Sequence, residues 1–427
     1  MQERRPAHAH RHWRQRLNAY DLILISLGLF VVAALIADPP IAILYGLWNI
    51  FTHTGHLLTD YVAVGGVGAA LINAVITGLC GVGLMHRSDA KPNGAIIMAL
   101  WLTIGFSFFG KNIFSMAPIL YGVWLYSRYQ REPFRNYALV ALLSSTMCPI
   151  VSEFNYSGLF DPLFAFVGSG LLGILVGFFI PIISAATNRV HGGYDLYNIG
   201  FAGGIIAMFI VAVRNSLGLP VAPTLEVSDG NNLFFAILLY VLFAMWCGFS
   251  LFDERRETIL PDQKRIAGHS GRLVTDYFLL YKESAFLNMG IMGIIGTTIT
   301  LVLGAPLNGV SIAGIITMMG FGVFGKHPRN CLPVMAGAVL FACVNQTPLT
   351  TPSNIAAILF CTGLAPISGQ YGWAWGMLAG VLHTAIVAHV GQVTGGLNLY
   401  SNGFAAGFVA LVLVPVILAF RRGKEET

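Results

Sequence analysis

Residues 53–61 read HTGHLLTDY, and residues 269–277 read HSGRLVTDY, so a nine-residue stretch returns 216 positions later. Two further blocks repeat in the same order along the chain. GFSFFGK at 105–111 returns as GFGVFGK at 320–326, and GGYDLY at 192–197 returns as GGLNLY at 395–400. Three related blocks in one order indicate an internal duplication.

The composition is that of a membrane protein. Of the 427 residues, 56% are hydrophobic and 10% are charged, with a mean hydropathy of +0.72, whereas about 25% charged residues is usual in soluble domains. Segments such as 20–37, 233–252 and 397–420 are long enough to cross a bilayer as helices. We therefore expect an all-α, polytopic bundle of roughly 14 crossings in the lipid bilayer, without a soluble domain.

The distribution of positive charge predicts that the two copies have inverted topology. Lys and Arg accumulate on cytoplasmic loops. The segment 253–272 is rich in both, whereas its counterpart 38–61 contains neither. About seven segments in each copy, an odd number, would also invert the second copy. The predicted division is a basic cytoplasmic tail (1–17), repeat 1 (18–217), a connecting loop (218–230), repeat 2 (231–422) and a cytoplasmic C-terminal tail (423–427).

The repeated Gly-Lys block is the most specific candidate site. Its flanking segments are short for full crossings, and a lysine stands at the turn in both copies, which favours a broken or re-entrant hairpin. If the two turns meet near the midplane, the lysines and the helix N-termini would favour an anion. The alternative is that each lysine lies at a membrane interface. The candidate substrate-binding residues here are Lys111, Asn112 and Lys326, with the Asn-Gly elements at Asn93 and Asn308.

The second candidate site is the loop that leads from paired glycines into a helix. Asp195 and Asn398 occupy matching positions in it, and each is followed by a tyrosine, Tyr197 or Tyr400. Carboxylate, amide and phenol oxygens suit a cation or a polar solute. The ordinary alternative is that Asp195 and Asn398 cap the helices that follow them.

Three acids are candidates for coupling to protons or sodium. Asp60 and Asp276 lie in the repeated Thr-Asp-Tyr, where the helix dipole alone would also favour an acid, and Glu153 follows Cys148-Pro149. The six cysteines are dispersed without a C-x-x-C pair, and the chain lacks nucleotide-binding and hydrolase motifs. We therefore expect no enzymatic activity, no metal, no cofactor and no nucleic-acid partner.

The paired Gly-Phe-x-x-Phe-Gly-Lys and Gly-Gly-x-(Asp/Asn)-Leu-Tyr elements resemble a family of bacterial integral membrane proteins that is catalogued as a conserved domain of unknown function. The resemblance covers about 20–420 and implies a bacterial inner membrane, with both termini cytoplasmic by the charge distribution. A looser similarity to urea-transporter-like folds concerns architecture alone, because Asp195 and Asn398 stand in a different order relative to the Asn-Gly element.

The sequence thus predicts a secondary active transporter for a small polar or anionic solute, with its site between the repeats near the midplane. A passive channel for a small solute and a non-transport subunit of a membrane complex are the alternatives. Accumulation against a gradient separates the first two, because a channel cannot concentrate its substrate. The oligomeric state, including a homo-oligomer, stays open.

Overall fold

The computed structural model describes residues 18–221, 224–252, 256–272 and 275–425. The predicted basic tail at 1–17 and the end of the predicted C-terminal tail lie outside these residues. In the described chain, regular structure is helical, and β-pairing is limited to isolated bridges. The expected all-α, polytopic membrane bundle is confirmed.

The described helices fall into two sets of ten that follow the same order, which matches the duplication. Repeat 1 contains α1 (Ala19–Ala37), α2 (Pro40–Phe51), α3 (Tyr61–Gly65), α4 (Val67–Arg87), α5 (Gly94–Phe106), α6 (Ile113–Tyr129), α7 (Ala138–Ser144), α8 (Cys148–Tyr156), α9 (Pro162–His191) and α10 (Asn198–Ser216). Repeat 2 contains α11 (Asn232–Leu251), α12 (Arg256–Ile266), α13 (Tyr277–Tyr281), α14 (Ser284–Val302), α15 (Gly309–Gly320), α16 (Pro328–Val344), α17 (Pro352–Phe360), α18 (Ala365–Tyr371), α19 (Trp373–Thr394) and α20 (Ser401–Glu425).

Ten helical stretches of the described chain are long and apolar enough to cross a membrane, five in each repeat. Two of them are broken helices, in which a 3-10 turn joins α7 to α8 and α17 to α18. The expected number of about 14 crossings also counted α5, α6, α15 and α16, the arms of the two predicted hairpins, which are shorter apolar helices. Helix α5, with 13 residues, is about 20 Å long, which is less than the hydrocarbon core of about 30 Å.

Helices α5 and α15 form the centre of the bundle and run antiparallel. The Gly94 N–H at the start of α5 donates to Asp276 Oδ2 at 2.8 Å, and Asp276 pairs with Phe324 just beyond α15. The Gly309 N–H at the start of α15 donates to Asp60 Oδ1 at 3.0 Å, and Asp60 pairs with Phe109 just beyond α5. Each helix therefore begins where the other ends. We call these two places the Asp276 end and the Asp60 end.

Glycines allow the chain to reverse tightly at both hairpin tips. Gly110 and Gly325 have φ angles of +71° and +88°, a region that disfavours other residues. A Cβ at Gly110 would lie 2.4 Å from Leu399 Cδ2, and one at Gly325 would lie 2.6 Å from the Gly271 carbonyl oxygen. Only glycine therefore lets each tip pack this closely against its surroundings.

Candidate functional site

Both lysines of the Gly-Lys blocks are buried between the repeats, with 1% of Lys111 and none of Lys326 exposed. Each lies at a place built by both repeats, because the Gly-Gly loop of one repeat docks onto the broken helix of the other. The Leu196 N–H donates to the Gly363 carbonyl at 3.0 Å, and the Leu399 N–H donates to the Thr146 carbonyl at 3.0 Å. We define half-site A as Asp195, Tyr197, Lys326 and Thr362. Half-site B is its counterpart, Asn398, Tyr400, Lys111 and Thr146.

In half-site A the lysine is hydrogen-bonded. Lys326 Nζ donates to the Tyr197 hydroxyl and, at 2.9 Å, to Thr362 Oγ1. It also lies 4.5 Å from the ring centroids of Tyr197 and Phe321. Asp195 Oδ1 accepts the Tyr197 N–H at 2.8 Å, whereas the buried Oδ2 has no hydrogen-bond partner among the described residues. This half-site contains a cation, an acid and a carboxylate oxygen that is still available.

In half-site B the lysine has no such partners. Lys111 Nζ lies 5.6 Å from the ring centroid of Phe106, and among the described residues it donates no hydrogen bond. The Tyr400 hydroxyl is likewise buried without a partner in the described chain. Both polar atoms of the Asn398 side chain are hydrogen-bonded: Oδ1 accepts the Tyr400 N–H at 3.0 Å, and Nδ2 donates to the Gly200 carbonyl at 2.9 Å. Half-site B therefore has two donors without acceptors and no acid.

A row of aromatic rings connects the half-sites across the repeat interface. The ring centroids of Tyr197 and Tyr400 are 4.5 Å apart. Phe106 lies 5.0 Å from Tyr400, and Phe321 lies 5.3 Å from Tyr197. The two Gly-Lys turns do not meet, because they lie at opposite ends of the antiparallel pair α5 and α15. The rings bridge them instead.

The asparagines of the Asn-Gly and Gly-Lys blocks cap helices. The Asn93 side chain accepts the Ile96 N–H, and the Asn308 side chain accepts the Ser311 N–H. Asn112 accepts the Phe114 and Ser115 N–H groups at the start of α6. Capping engages the side-chain oxygen of all three.

Sequence reasoning missed Asn73 and Asn288, which hold the hairpin tips. Asn73 Nδ2 donates to the Ser107 and Lys111 carbonyls, both at 2.8 Å. Asn288 Nδ2 donates to the Gly322 and Lys326 carbonyls at 2.6 and 2.7 Å. Two asparagines 215 positions apart in apolar helices were a signal that the repeat alignment could have found.

The two aspartates of the Thr-Asp-Tyr elements each cap a helix of the other repeat. Asp60 accepts N–H groups from Val62, Gly309 and Ser228, and the Ser228 hydroxyl as well. Asp276 accepts the Leu279 and Gly94 N–H groups, both at 2.8 Å. Burial raises the pKa of both carboxyl groups, which these hydrogen bonds oppose.

Glu153 belongs to a buried cluster that only repeat 1 can form. It pairs with Arg214 Nη1, and His56 Nε2 lies 3.9 Å from its Oε1. The positions that match His56 and Glu153 in repeat 2 are Arg272 and Gly369. Burial, together with Arg214 and His53, lowers the pKa of His56 to about 4, so its imidazole is neutral at physiological pH.

A cavity of about 280 Å³ adjoins half-site B at the Asp60 end. Its lining includes Phe109 and Leu399, the neighbours of Gly110 and Tyr400. Asparagine, serine and threonine side chains also line it, and no lining residue is charged. No sequence pattern predicted this cavity, because its lining comes from six separate stretches of both repeats. Elsewhere in the described chain, no group of three or more His, Cys, Asp or Glu residues is placed to hold a metal ion.

The chain belongs to the family described as "Protein of unknown function (DUF1576)", which matches residues 40–216 and 255–419. The two matched segments lie within the two repeats. The expected membership of an uncharacterised family with two internal repeats is confirmed. No curated protein and no solved structure is significantly similar to the chain.

Proposed function

We propose that this DUF1576 protein is a secondary active transporter that carries a small polar or anionic solute across the bacterial inner membrane. The observation that carries the proposal is the pair of buried lysines at the repeat interface, each in a half-site built from both repeats. A charged side chain at membrane depth costs about 2.5–3.5 kcal/mol on insertion scales, and such residues mark substrate and ion pathways.

The repeats support transport by alternating access. The antiparallel α5 and α15 and the odd number of spans in each repeat both favour inverted topology, with the termini on the cytoplasmic side. Rocking one repeat against the other would separate Lys326 from Tyr197 at one end, and Lys111 from the Tyr400 loop at the other. Such motion would open and close the two half-sites in turn.

The packed aromatic row favours a carrier over a channel. Its rings lie 4.5–5.3 Å apart and are buried at the repeat interface, so a solute would need a conformational change to pass.

The hydrogen bonds of the four candidate acids favour ion coupling at Asp195. Asp60 and Asp276 are engaged as helix caps and Glu153 in an ion pair, whereas Asp195 retains a buried oxygen without a partner. We take the coupled ion to be a proton.

Uptake into proteoliposomes of the full chain tests this function. Radiolabelled acetate, butyrate, benzoate and butyramide would be offered with and without an imposed pH gradient. The proposal expects saturable accumulation of at least one solute above equilibrium, and loss of that accumulation in Asp195→Asn. Saturable equilibration without accumulation under any gradient would indicate a channel. No flux of these solutes above empty liposomes would overturn transport of this solute class.

A further inference from the structure

The cavity at the Asp60 end is lined by both apolar and polar side chains. We call the lining residues Phe109, Phe360 and Leu399 its apolar side; Phe109 and Phe360 both contact the Phe106 ring. We call the lining residues Ser353, Ser401 and Asn402 its polar side. Its volume of about 280 Å³ lies just below the usual range of about 300–1,000 Å³ for ligand sites. A ligand of this cavity would be small and amphipathic.

Two helices begin at the polar side. Ser353 is the second residue of α17, and Ser401 is the first residue of α20. The first N–H groups of a helix lack partners within the helix and carry the positive end of its dipole. Helix α15 also begins beside the cavity, but Asp60 already accepts its Gly309 N–H. The N-terminus of α17 begins with a proline, which has no N–H, and the Thr351 side chain accepts the Asn354 N–H. The positive end that remains for a ligand is therefore that of α20.

Asn402 provides an independent indication of a ligand. Its side chain is 6% exposed and lines the cavity, and its Oδ1 has no hydrogen-bond partner among the described residues. A buried amide group without a partner costs free energy that a bound ligand would recover. Rotation of the amide by 180° would present its N–H₂ group to an acceptor at the same place.

The apolar side of the cavity separates it from the unpaired lysine of half-site B. Phe360 stacks on Phe106 with 5.8 Å between ring centroids, and Lys111 Nζ lies over the Phe106 ring. Half-site A balances its lysine with Asp195, but half-site B has Asn398 at that position. The charge of Lys111 is thus not compensated by an acid within half-site B.

From these observations we infer that the cavity is the entry subsite for a small organic monocarboxylate. The carboxylate would face the N-terminus of α20 and the Asn402 amide, and the hydrocarbon part would lie against Phe109, Phe360 and Leu399. Movement of the aromatic side chains would then pass the anion to Lys111. This inference rests on the proposed transport function and names the class of its substrate.

Equilibrium binding to the purified full chain in nanodiscs tests the inference separately from transport. The probes are radiolabelled acetate, butyrate and benzoate, with butyramide as the neutral analogue of butyrate. We expect saturable binding of at least one acid. Butyramide should bind at least about tenfold more weakly than butyrate, because one charge-assisted contact is lost. Asn402→Leu should weaken binding of the acid by a similar factor.

A matched pair of tryptophan variants locates the site. Ala388 lines the cavity on α19, and Ala185 is its counterpart on α9; both are exposed, so folding should tolerate either change. Ala388→Trp should abolish acid binding, whereas Ala185→Trp should retain it. Equal binding by both variants, equal affinity for butyrate and butyramide, or no binding of any of the three acids would overturn the inference.

The two proposals can fail separately. Acid binding at the cavity without flux in proteoliposomes would leave the subsite standing and reject transport. Accumulation of butyramide by a protein that binds no acid would support transport and reject the monocarboxylate subsite.

Discussion

Half-sites A and B are built from the same repeated residues, but a carboxylate stands at one position of half-site A where half-site B has an amide. In half-site A, Lys326 is held by two hydroxyl groups in the presence of Asp195. In half-site B, Asn398 is consumed by backbone contacts and Lys111 has no acceptor. The repeated scaffold is therefore the same in both half-sites, but only half-site A contains an acid, and only its lysine is hydrogen-bonded to neighbouring hydroxyl groups.

The largest expected effect is the loss of Lys326. In Lys326→Met the Tyr197 hydroxyl and Thr362 Oγ1 both lose a charged donor, and a hydrogen bond to a charged group contributes about 1.5–3 kcal/mol. We expect a decrease of this size in the free energy of unfolding, measured by denaturant titration in detergent micelles. Lys111→Met is the matched control. It removes a charge without a partner and should change stability little, so equal losses in both variants would contradict the difference between the half-sites.

Exchanging the acid between the half-sites sharpens the same comparison. Asp195→Asn should abolish pH-driven accumulation in proteoliposomes, because half-site A then has no carboxylate to carry a proton. Asn398→Asp should slow butyrate uptake into proteoliposomes by roughly tenfold, since an internal carboxylate would compete for Lys111 once the anion has passed the aromatic side chains. Unchanged uptake in Asn398→Asp would show that Lys111 does not receive the anion.

The Asp60 and Asp276 caps should differ in strength. Asp60 accepts four hydrogen bonds and is fully buried, whereas Asp276 is partly exposed. Removal of a helix cap costs about 0.5–2 kcal/mol. We expect Asp60→Ala to lie at the upper end of this range and Asp276→Ala at the lower end, by unfolding in detergent. A loss of pH-driven accumulation in a variant that folds normally would instead indicate that the substituted aspartate takes part in ion coupling.

An effect confined to acid pH is expected from the cluster found only in repeat 1. The pKa of His56 is lowered from 6.5 to about 4, so the unfolded chain takes up the proton first and stability falls as the pH falls from 6.5 towards 4. His56→Gln should reduce this fall in the thermal unfolding temperature. The exposed His389 provides the control, His389→Gln, which should behave like the wild type. Identical pH dependence of the unfolding temperature in the wild type and His56→Gln would show that His56 does not contribute to the loss of stability at acid pH.

Much of the architecture could be predicted because membranes restrict it strongly. Apolar segment lengths predicted the helical bundle, since backbone polar groups in lipid must be satisfied by helices. The hairpins and the number of crossings stay predictions, because hydropathy does not distinguish a hairpin arm from a span. Asn73 and Asn288 were missed because one polar residue in an apolar helix carries little information until its partners are known.

The sequence by itself determined the duplication, the helical class and the residue types at both candidate sites, because these depend on composition and local spacing. Only the tertiary structure decided that Asp60 and Asp276 cap helices of the opposite repeat, and that Lys326 has partners while Lys111 has none. It also placed the cavity beside half-site B. Several of these contacts join segments far apart in the chain, with 249 residues between Asp60 and Gly309, 182 between Gly94 and Asp276, and 129 between Tyr197 and Lys326. Repeated motifs do not specify which copies meet until the two repeats are packed together.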